Sequence, residues 1–197
     1  MLNKRSLAIK LSKLEVPFDK NVSLEQYETE GDIAAEILFW AYMNWYVENK
    51  IVADLGCGNG IFGIGCLEFG AKRVYFVDKD ESVIRLAKRN SKGKGIFVNE
   101  DVCNFNIKVD TVIMNPPFGV QNRKADKIFL EKAMGLSNSI YSIHKVESKN
   151  FIELLCKENG FAVLDVKYFK FLLKKTFKFH KKDKYFVNVG CWHIVKQ

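Results

Sequence analysis

Leu7, Leu11 and Leu14 recur at helical spacing along the first stretch of the chain, Lys4, Lys10 and Lys13 fall mostly off that face, and Pro17 closes the segment. A second and more apolar helix is predicted over 32–48, with Thr29 or Asp32 able to accept its free N–H groups. From Lys50 onward the pattern changes. Short β-branched apolar runs at 51–55, 73–78, 95–98 and 109–114 predict strands, and helical segments are predicted at 61–69, 81–90 and 128–135. A fifth strand at 139–143, a helix at 148–158 and two long strands at 161–173 and 185–195 complete the chain. The last two strands have no helix between them, which predicts an antiparallel hairpin at a sheet edge.

Strands alternating with helices imply an α/β fold with a doubly wound, mostly parallel sheet and right-handed crossovers. Neither repeats nor a linker divide the 197 residues, so one domain is expected over 1–197, with an N-terminal helical lid region at 1–49 and the core at 50–197. The most apolar stretch, 33–47, is too short for a membrane span and carries Glu36 and Asn44. The first residues lead into an amphipathic segment instead of a signal-peptide core, and a cytoplasmic protein is expected. Five dispersed cysteines with no C-x-x-C pair and three histidines without zinc-ligand spacing predict reduced thiols and no metal. The net charge of +8 makes a polyanion the first partner to consider.

The turn from the first strand of the alternating region into its helix reads Asp54-Leu55-Gly56-Cys57-Gly58-Asn59-Gly60-Ile61. It is D-x-G-x-G-x-G, not the dinucleotide fingerprint, because Ile61 stands where a third glycine would be needed. Alternate glycines let a ligand approach the backbone, and the helix N-terminus beyond can hold a carboxylate. A tight packing turn is the competing reading. The next strand ends at Asp78, whose carboxylate can accept from both hydroxyls of a ribose, although a helix cap would use it differently and Asp80 competes for that role. Asp101 could accept from an adenine amino group while Val102 packs on the ring, or could serve as an ordinary turn residue.

Two of the chain's three prolines sit in Asn115-Pro116-Pro117-Phe118, directly after the fourth strand of this region. Proline ends the strand and leaves a stiff turn that offers an amide side chain, carbonyl acceptors and an aromatic ring. Those parts suit a planar base whose amino group is gripped by acceptors while its face is stacked. Asp54, the glycines, Asp78, Asp101 and Asn115 all fall at the carboxyl ends of successive predicted strands, where wound sheets bind ligands.

With these motifs the chain resembles the class I S-adenosylmethionine-dependent methyltransferases, which share a seven-stranded Rossmann-like sheet, and within them the enzymes that methylate a planar nitrogen through an (Asn/Asp)-Pro-Pro-aromatic tetrapeptide. Leu24-Glu25-Gln26-Tyr27 with Thr29, the stretches 52–58, 112–119 and 140–145, and Lys178-Phe179-His180-Lys181-Lys182 resemble more specifically the small archaeal and eukaryotic rRNA adenine-N6 methyltransferases acting on small-subunit rRNA. The resemblance runs from about Leu24 to Val195. It implies cofactor contacts from Gln26, Thr29, Gly56, Asn59, Ile61, Asp78, Asp101 and Val102, with Asn115 to Phe118 as the catalytic turn. The chain departs from the family at Glu28, where proline is usual, and at Gly31-Asp32. The resemblance also suggests a small zinc-binding activator subunit.

Between Lys167 and Lys184 the chain holds eight lysines and His180 against one acidic residue, Asp183, interleaved with Tyr168, Phe169, Phe171, Phe177 and Phe179. Basic residues track phosphates and exposed aromatics stack on unpaired bases, but most of these rings are expected in the core of an edge strand. His144, Lys145, His180, Lys181 and Lys182 are the expected RNA contacts. Two other functions remain open at this point: methylation of a protein glutamine amide, against which Phe118 stands where that group usually has tyrosine, and a non-catalytic RNA-binding assembly factor.

Overall fold

The computed structural model describes residues 3–17, 29–118, 125–174 and 184–197. Among them, seven strands form one sheet: β1 (Ile51–Leu55), β2 (Arg73–Asp78), β3 (Ile96–Asn99), β4 (Thr111–Met114), β5 (Ser139–Lys145), β6 (Phe161–Lys174) and β7 (Lys184–Lys196). The order across the sheet is β3-β2-β1-β4-β5-β7-β6. The first five strands are parallel, and β7 runs antiparallel to both β5 and β6. The expected C-terminal hairpin is present, with β7 inserted beside β5 and β6 left at the edge.

Six helices cover the sheet among the described residues: α1 (Lys4–Leu11), α2 (Gly31–Met43), α3 (Ile61–Glu68), α4 (Glu81–Asn90), α5 (Ala125–Leu136) and α6 (Lys149–Glu158). On one face, side chains of α1 to α4 share a core with Phe76, Ile113, Tyr141 and Cys191; on the other, α5 and α6 pack with Leu55, Val77, Met114 and Trp192. Coverage of both faces explains why β1, β2 and β4 read as continuous apolar runs without polar alternation. None of the helices is long and apolar enough to cross a membrane.

The leucine stripe of α1 does what its spacing predicts. Leu7 and Leu11 are fully buried, Leu14 packs at the margin, and each buried leucine contributes about 1.5–3 kcal/mol of transfer free energy. Asn3 and Ser6 close a capping box at the start of that helix. By contrast, α2 ends at Met43, short of the expected 48. Trp45 and Asn49 both take left-handed backbone conformations and turn the chain back toward β1. That path brings the Tyr46 carbonyl to the Thr111 hydroxyl, which donates to it over 2.7 Å. A contact with β4 thus overrides local helical preference. Neither Thr29 nor Asp32 caps α2: Glu30 occupies the cap position, with no side-chain bond.

Candidate active site

The carboxyl ends of β1, β2 and β4 are neighbours in register: Leu55 pairs with Val77 on one side and with Met114 on the other. The glycine loop after β1 and the Asn-Pro-Pro-Phe turn after β4 therefore leave adjacent strands at the same rim. Sequence spacing placed these motifs on one rim in principle; the register makes them direct neighbours.

The loop is held by backbone bonds. Gly56 and Cys57 both donate to the Val77 carbonyl, at 2.8 and 3.0 Å, and Gly58 donates to a carboxylate oxygen of Asp78 at 3.1 Å. Gly56, Gly58 and Gly60 all have positive φ, so their alternation is a conformational requirement. Gly60 begins α3 in the left-handed region, and a Cβ there would press on Ala87 and Phe76 at 3.1 and 3.2 Å. At Gly58 a Cβ would meet nothing within 4 Å. That open space beside a bare backbone is where a ligand can come close.

The two acids at the rim have separate tasks. Asp54 is 1% exposed, and one of its oxygens accepts from the Gly63 amide at 2.8 Å, tying the end of β1 to the first turn of α3. Burial pushes its carboxyl well above the ordinary range, the Gly63 bond opposes this, and the nearby Asp78 charge adds to it. Asp54 thus supports the loop from below. Asp78 accepts from Gly58 through one oxygen and from Asp80 at 3.0 Å through the other. Its carboxyl is also raised, chiefly by burial. A carboxylate has about four lone-pair sites, so two remain for a ribose. Asp80 caps α4 by accepting from Ser82 and leaves Asp78 to the loop. Open backbone at Gly58 and acceptor capacity at Asp78 fit the nucleoside of S-adenosylmethionine.

Asp101 lies on the exposed side of this rim, where it accepts from Cys103 at 3.0 Å as the cap of a short 3-10 turn. That bond, more than burial, holds its carboxyl below the usual range. Val102 is buried, and Ile61 is buried at the start of α3. The Asn59 amide donates to the Glu15 carbonyl at 3.4 Å, while Asn90 donates to that carbonyl at 3.0 Å and to the Asn59 carbonyl at 2.9 Å. Glu15 returns a backbone N–H to Asn90 at 3.0 Å and pairs with Arg89 at 3.5 Å. This clasp of the N-terminal segment onto the glycine loop was missed in the sequence. No periodicity links residues 75 positions apart.

At the β4 end, Pro116 is buried, and Asn115, Pro117 and Phe118 are half-buried. The Asn115 amide nitrogen donates to the Thr29 hydroxyl at 3.1 Å. The Asn115 oxygen is buried and accepts no hydrogen bond among the described residues. A buried unpaired acceptor costs about 1–3 kcal/mol, so it marks a place where a donor can be received from outside the chain. Phe118 packs at the edge of the core on the α1–α4 side, and the Lys145 ammonium sits 5.9 Å from its ring centroid. Lys145 thus approaches the Asn-Pro-Pro-Phe turn from β5.

His144 does not. Its ring is 1% exposed, meets Trp192 edge to face, and lies 2.6 Å from the Ser142 hydroxyl through Nε2. Burial lowers its pKa to about 3, so it is a neutral part of the core. The expected RNA contact from His144 is therefore not presented at the surface, because β5 is buried on both faces from Ser139 to His144. Gln26, His180, Lys181 and Lys182 lie outside the described residues.

Fold and rim together define a class I S-adenosylmethionine-dependent methyltransferase. The methyltransferase small domain model matches residues 28–137, which takes in the glycine loop, Asp78, Asp101 and the Asn-Pro-Pro-Phe turn. The chain is similar to the rRNA N(6)-adenosine-methyltransferase METTL5 of Danio rerio, at 33% identity over 83% of this chain and 84% of the relative. It is also 33% identical to protein MJ0284 of Methanocaldococcus jannaschii, over 100% of this chain and 95% of that one. Among solved structures, a candidate RNA methyltransferase from Pyrococcus horikoshii, PH1948, superposes with a TM-score of 0.93 at 42% identity, covering 100% of this chain and 98% of that one. The chain belongs to the methyltransferase small domain family and, within it, to the METTL5 family.

Proposed function

We propose that this protein transfers a methyl group from S-adenosylmethionine to the N6 nitrogen of an adenine in RNA, and that the RNA is small-subunit rRNA. The observation that carries this reading is the Asn115 oxygen, buried and without a hydrogen-bond donor among the described residues, on a turn adjacent to the glycine loop. An adenine amino group has its lone pair delocalised into the ring and is a weak nucleophile. Acceptors at the Asn115 side chain and the Pro116 carbonyl hold its two N–H bonds and favour pyramidalisation, so that the lone pair is freed. The cofactor, when bound, supplies an already activated methyl on sulfonium sulfur. Placement and polarisation can then do much of the work without a strong base.

The base must leave its stack to reach the turn, and Phe118 is assigned to stack it, for about 1–3 kcal/mol. Lys145, beside Phe118, is assigned to the substrate phosphates, together with His180, Lys181 and Lys182. Residues 1–49 are assigned to a lid over the cofactor, with Gln26 on it. A small zinc-binding activator subunit belongs to the same reading on the strength of the resemblance, and co-purification from the native cell tests it.

The deciding experiment incubates the protein with labelled S-adenosylmethionine and, separately, with deproteinised rRNA or with release factors, followed by digestion to nucleosides or amino acids. The reading expects N6-methyladenosine from the small-subunit rRNA and no methylglutamine. Label in glutamine alone, or no transfer at all, defeats it. Asn115→Ala is expected to lower turnover by about 100-fold or more while cofactor affinity stays within about twofold. Equal collapse of both by isothermal titration removes Asn115 from its role.

A further inference from the structure

Asn90 is the last residue of α4, and every polar group of its side chain is used on the backbone of another element. Its oxygen accepts the Glu15 N–H at 3.0 Å, while its nitrogen donates to the Glu15 carbonyl at 3.0 Å and to the Asn59 carbonyl at 2.9 Å. A backbone N–H can only donate and a carbonyl can only accept, so the carboxamide fits in a single orientation. Asn90 thus grips Glu15 by its main chain, as a neighbouring strand would, and holds Asn59 between two glycines of positive φ. Ala87, one turn earlier on the same face of α4, stands where a Cβ on Gly60 would lie 3.1 Å away. That face of α4 therefore supports the loop at Asn59 and Gly60 together. At the other end of the segment, Ser12 packs so closely on α2 that a Cβ on Gly31 would lie 2.8 Å from its backbone nitrogen. Residues 12–15 are strung between the start of α2 and the glycine loop.

We propose that Asn90 is a positioning residue for cofactor binding: it joins the Asn59 carbonyl and the Glu15 backbone into one unit, so that docking of residues 12–15 and binding of S-adenosylmethionine at the glycine loop strengthen each other. This rests on the assignment of residues 1–49 to a lid over the cofactor, and it supplies the contact through which that lid senses the loop. Gly58, where the backbone is open to a ligand, directly precedes Asn59. Movement of the Asn59 carbonyl therefore shifts the backbone that the cofactor meets. Coupling between two binding events is reciprocal: if the docked segment raises cofactor affinity, bound cofactor must hold the segment down by the same factor. The Arg89–Glu15 pair is exposed on both sides and contributes little to this docking.

The test uses the full chain as wild type, Asn90→Asp and Arg89→Ala, at neutral pH. Asn90→Asp keeps the size of the side chain, removes both donors and turns a carboxylate oxygen toward two carbonyls. S-adenosylmethionine affinity is read by isothermal titration. Exchange of the Glu15 amide hydrogen is read by NMR with and without saturating cofactor, with the amides of β1 and β2 as the reference for global opening. In the wild type, cofactor is expected to slow Glu15 exchange by about fivefold or more. In Asn90→Asp, cofactor affinity should fall by about tenfold, as expected for lost hydrogen bonds, and Glu15 should exchange fast whether or not cofactor is present. The β1 and β2 amides should stay protected, and Arg89→Ala should keep affinity within about twofold. Wild-type Glu15 exchange that ignores cofactor overturns the proposal without any variant. So does an unchanged affinity in Asn90→Asp, and so does a loss of protection shared by β1 and β2, which would make Asn90 a support of stability alone. If the wild type binds cofactor but methylates no RNA, the functional reading fails, while the Glu15 exchange still decides the coupling.

Discussion

The Gly58 amide donates to the Asp78 carboxylate over 3.1 Å, so the loop after β1 is latched to the end of β2. The same carboxylate is the acceptor assigned to the ribose of the cofactor. Asp78→Ala is expected to lower S-adenosylmethionine affinity by about 10- to 100-fold, the usual worth of hydrogen bonds to a charged group. Isothermal titration measures this, and the rise in Tm that cofactor gives the wild type should shrink in the variant.

The edge hairpin has two unlike faces. Phe171 and Val189 are buried, and Phe169 and Val187 pack toward α1 and α2, as expected for core aromatics. Tyr168 and Phe186, placed on the other face by the β6–β7 register, are 58% and 67% exposed, with exposed Lys170 and Asn188 between them. The expectation of core burial thus fails for Tyr168, which stands outside the cluster that joins Phe161, Val163 and Val166 to α6. Tyr168→Ala and Phe186→Ala are each expected to weaken binding of a single-stranded rRNA fragment by about fivefold or more, with cofactor affinity unchanged. Fluorescence anisotropy at fixed salt reads the difference.

Two buried histidines predict acid sensitivity. Burial lowers His144 to about 3 and His193 to about 4, from an ordinary value of 6.5. A base whose folded-state pKa is depressed contributes stability that is present above its unfolded value and is lost as pH falls toward its folded value. Unfolding free energy should therefore drop between pH 7 and 4.5, by about 2 kcal/mol for each histidine. Urea titrations across that range check it, and His144→Gln should flatten the slope.

Gly63 faces the Phe76 ring so closely that a Cβ would lie 2.3 Å from it. Phe76 is fully buried and stacked on Phe97 at 5.0 Å, so it has little room to yield. Gly63→Ala is expected to destabilise the protein by about 1–3 kcal/mol despite alanine's better helix propensity. Gly65→Ala should cost less, because its nearest obstacle is a methyl at the end of the flexible Leu38 side chain. Urea midpoints of the two variants provide the comparison.

Much of the architecture was legible in the chain because local chemistry and the global fold agree there. The β1 and β2 bounds, the α4 segment and the C-terminal pairing follow from apolar runs, glycine and proline positions that act over a few residues. The early end of α2 at Met43 was not legible, since a hydrogen bond from Thr111 to the loop after it stabilises that turn. At the rim, Asp78 and the glycines stand where the motif puts them, yet Asp54 turns beneath the loop and His144 turns into the core.

By itself, the order of residues determined which chemistry could be present: three alternate glycines, acids at strand ends, and an amide followed by two prolines and a ring. These are properties of short segments, whose backbone preferences survive in any context. Only the tertiary structure decided that Thr29 meets Asn115, that the amide oxygen has no donor among the described residues, and that Glu15 is clasped to the loop through Asn90. Those contacts join distant parts of the chain, and their geometry depends on how every intervening helix packs. A side chain's partner is set by that packing.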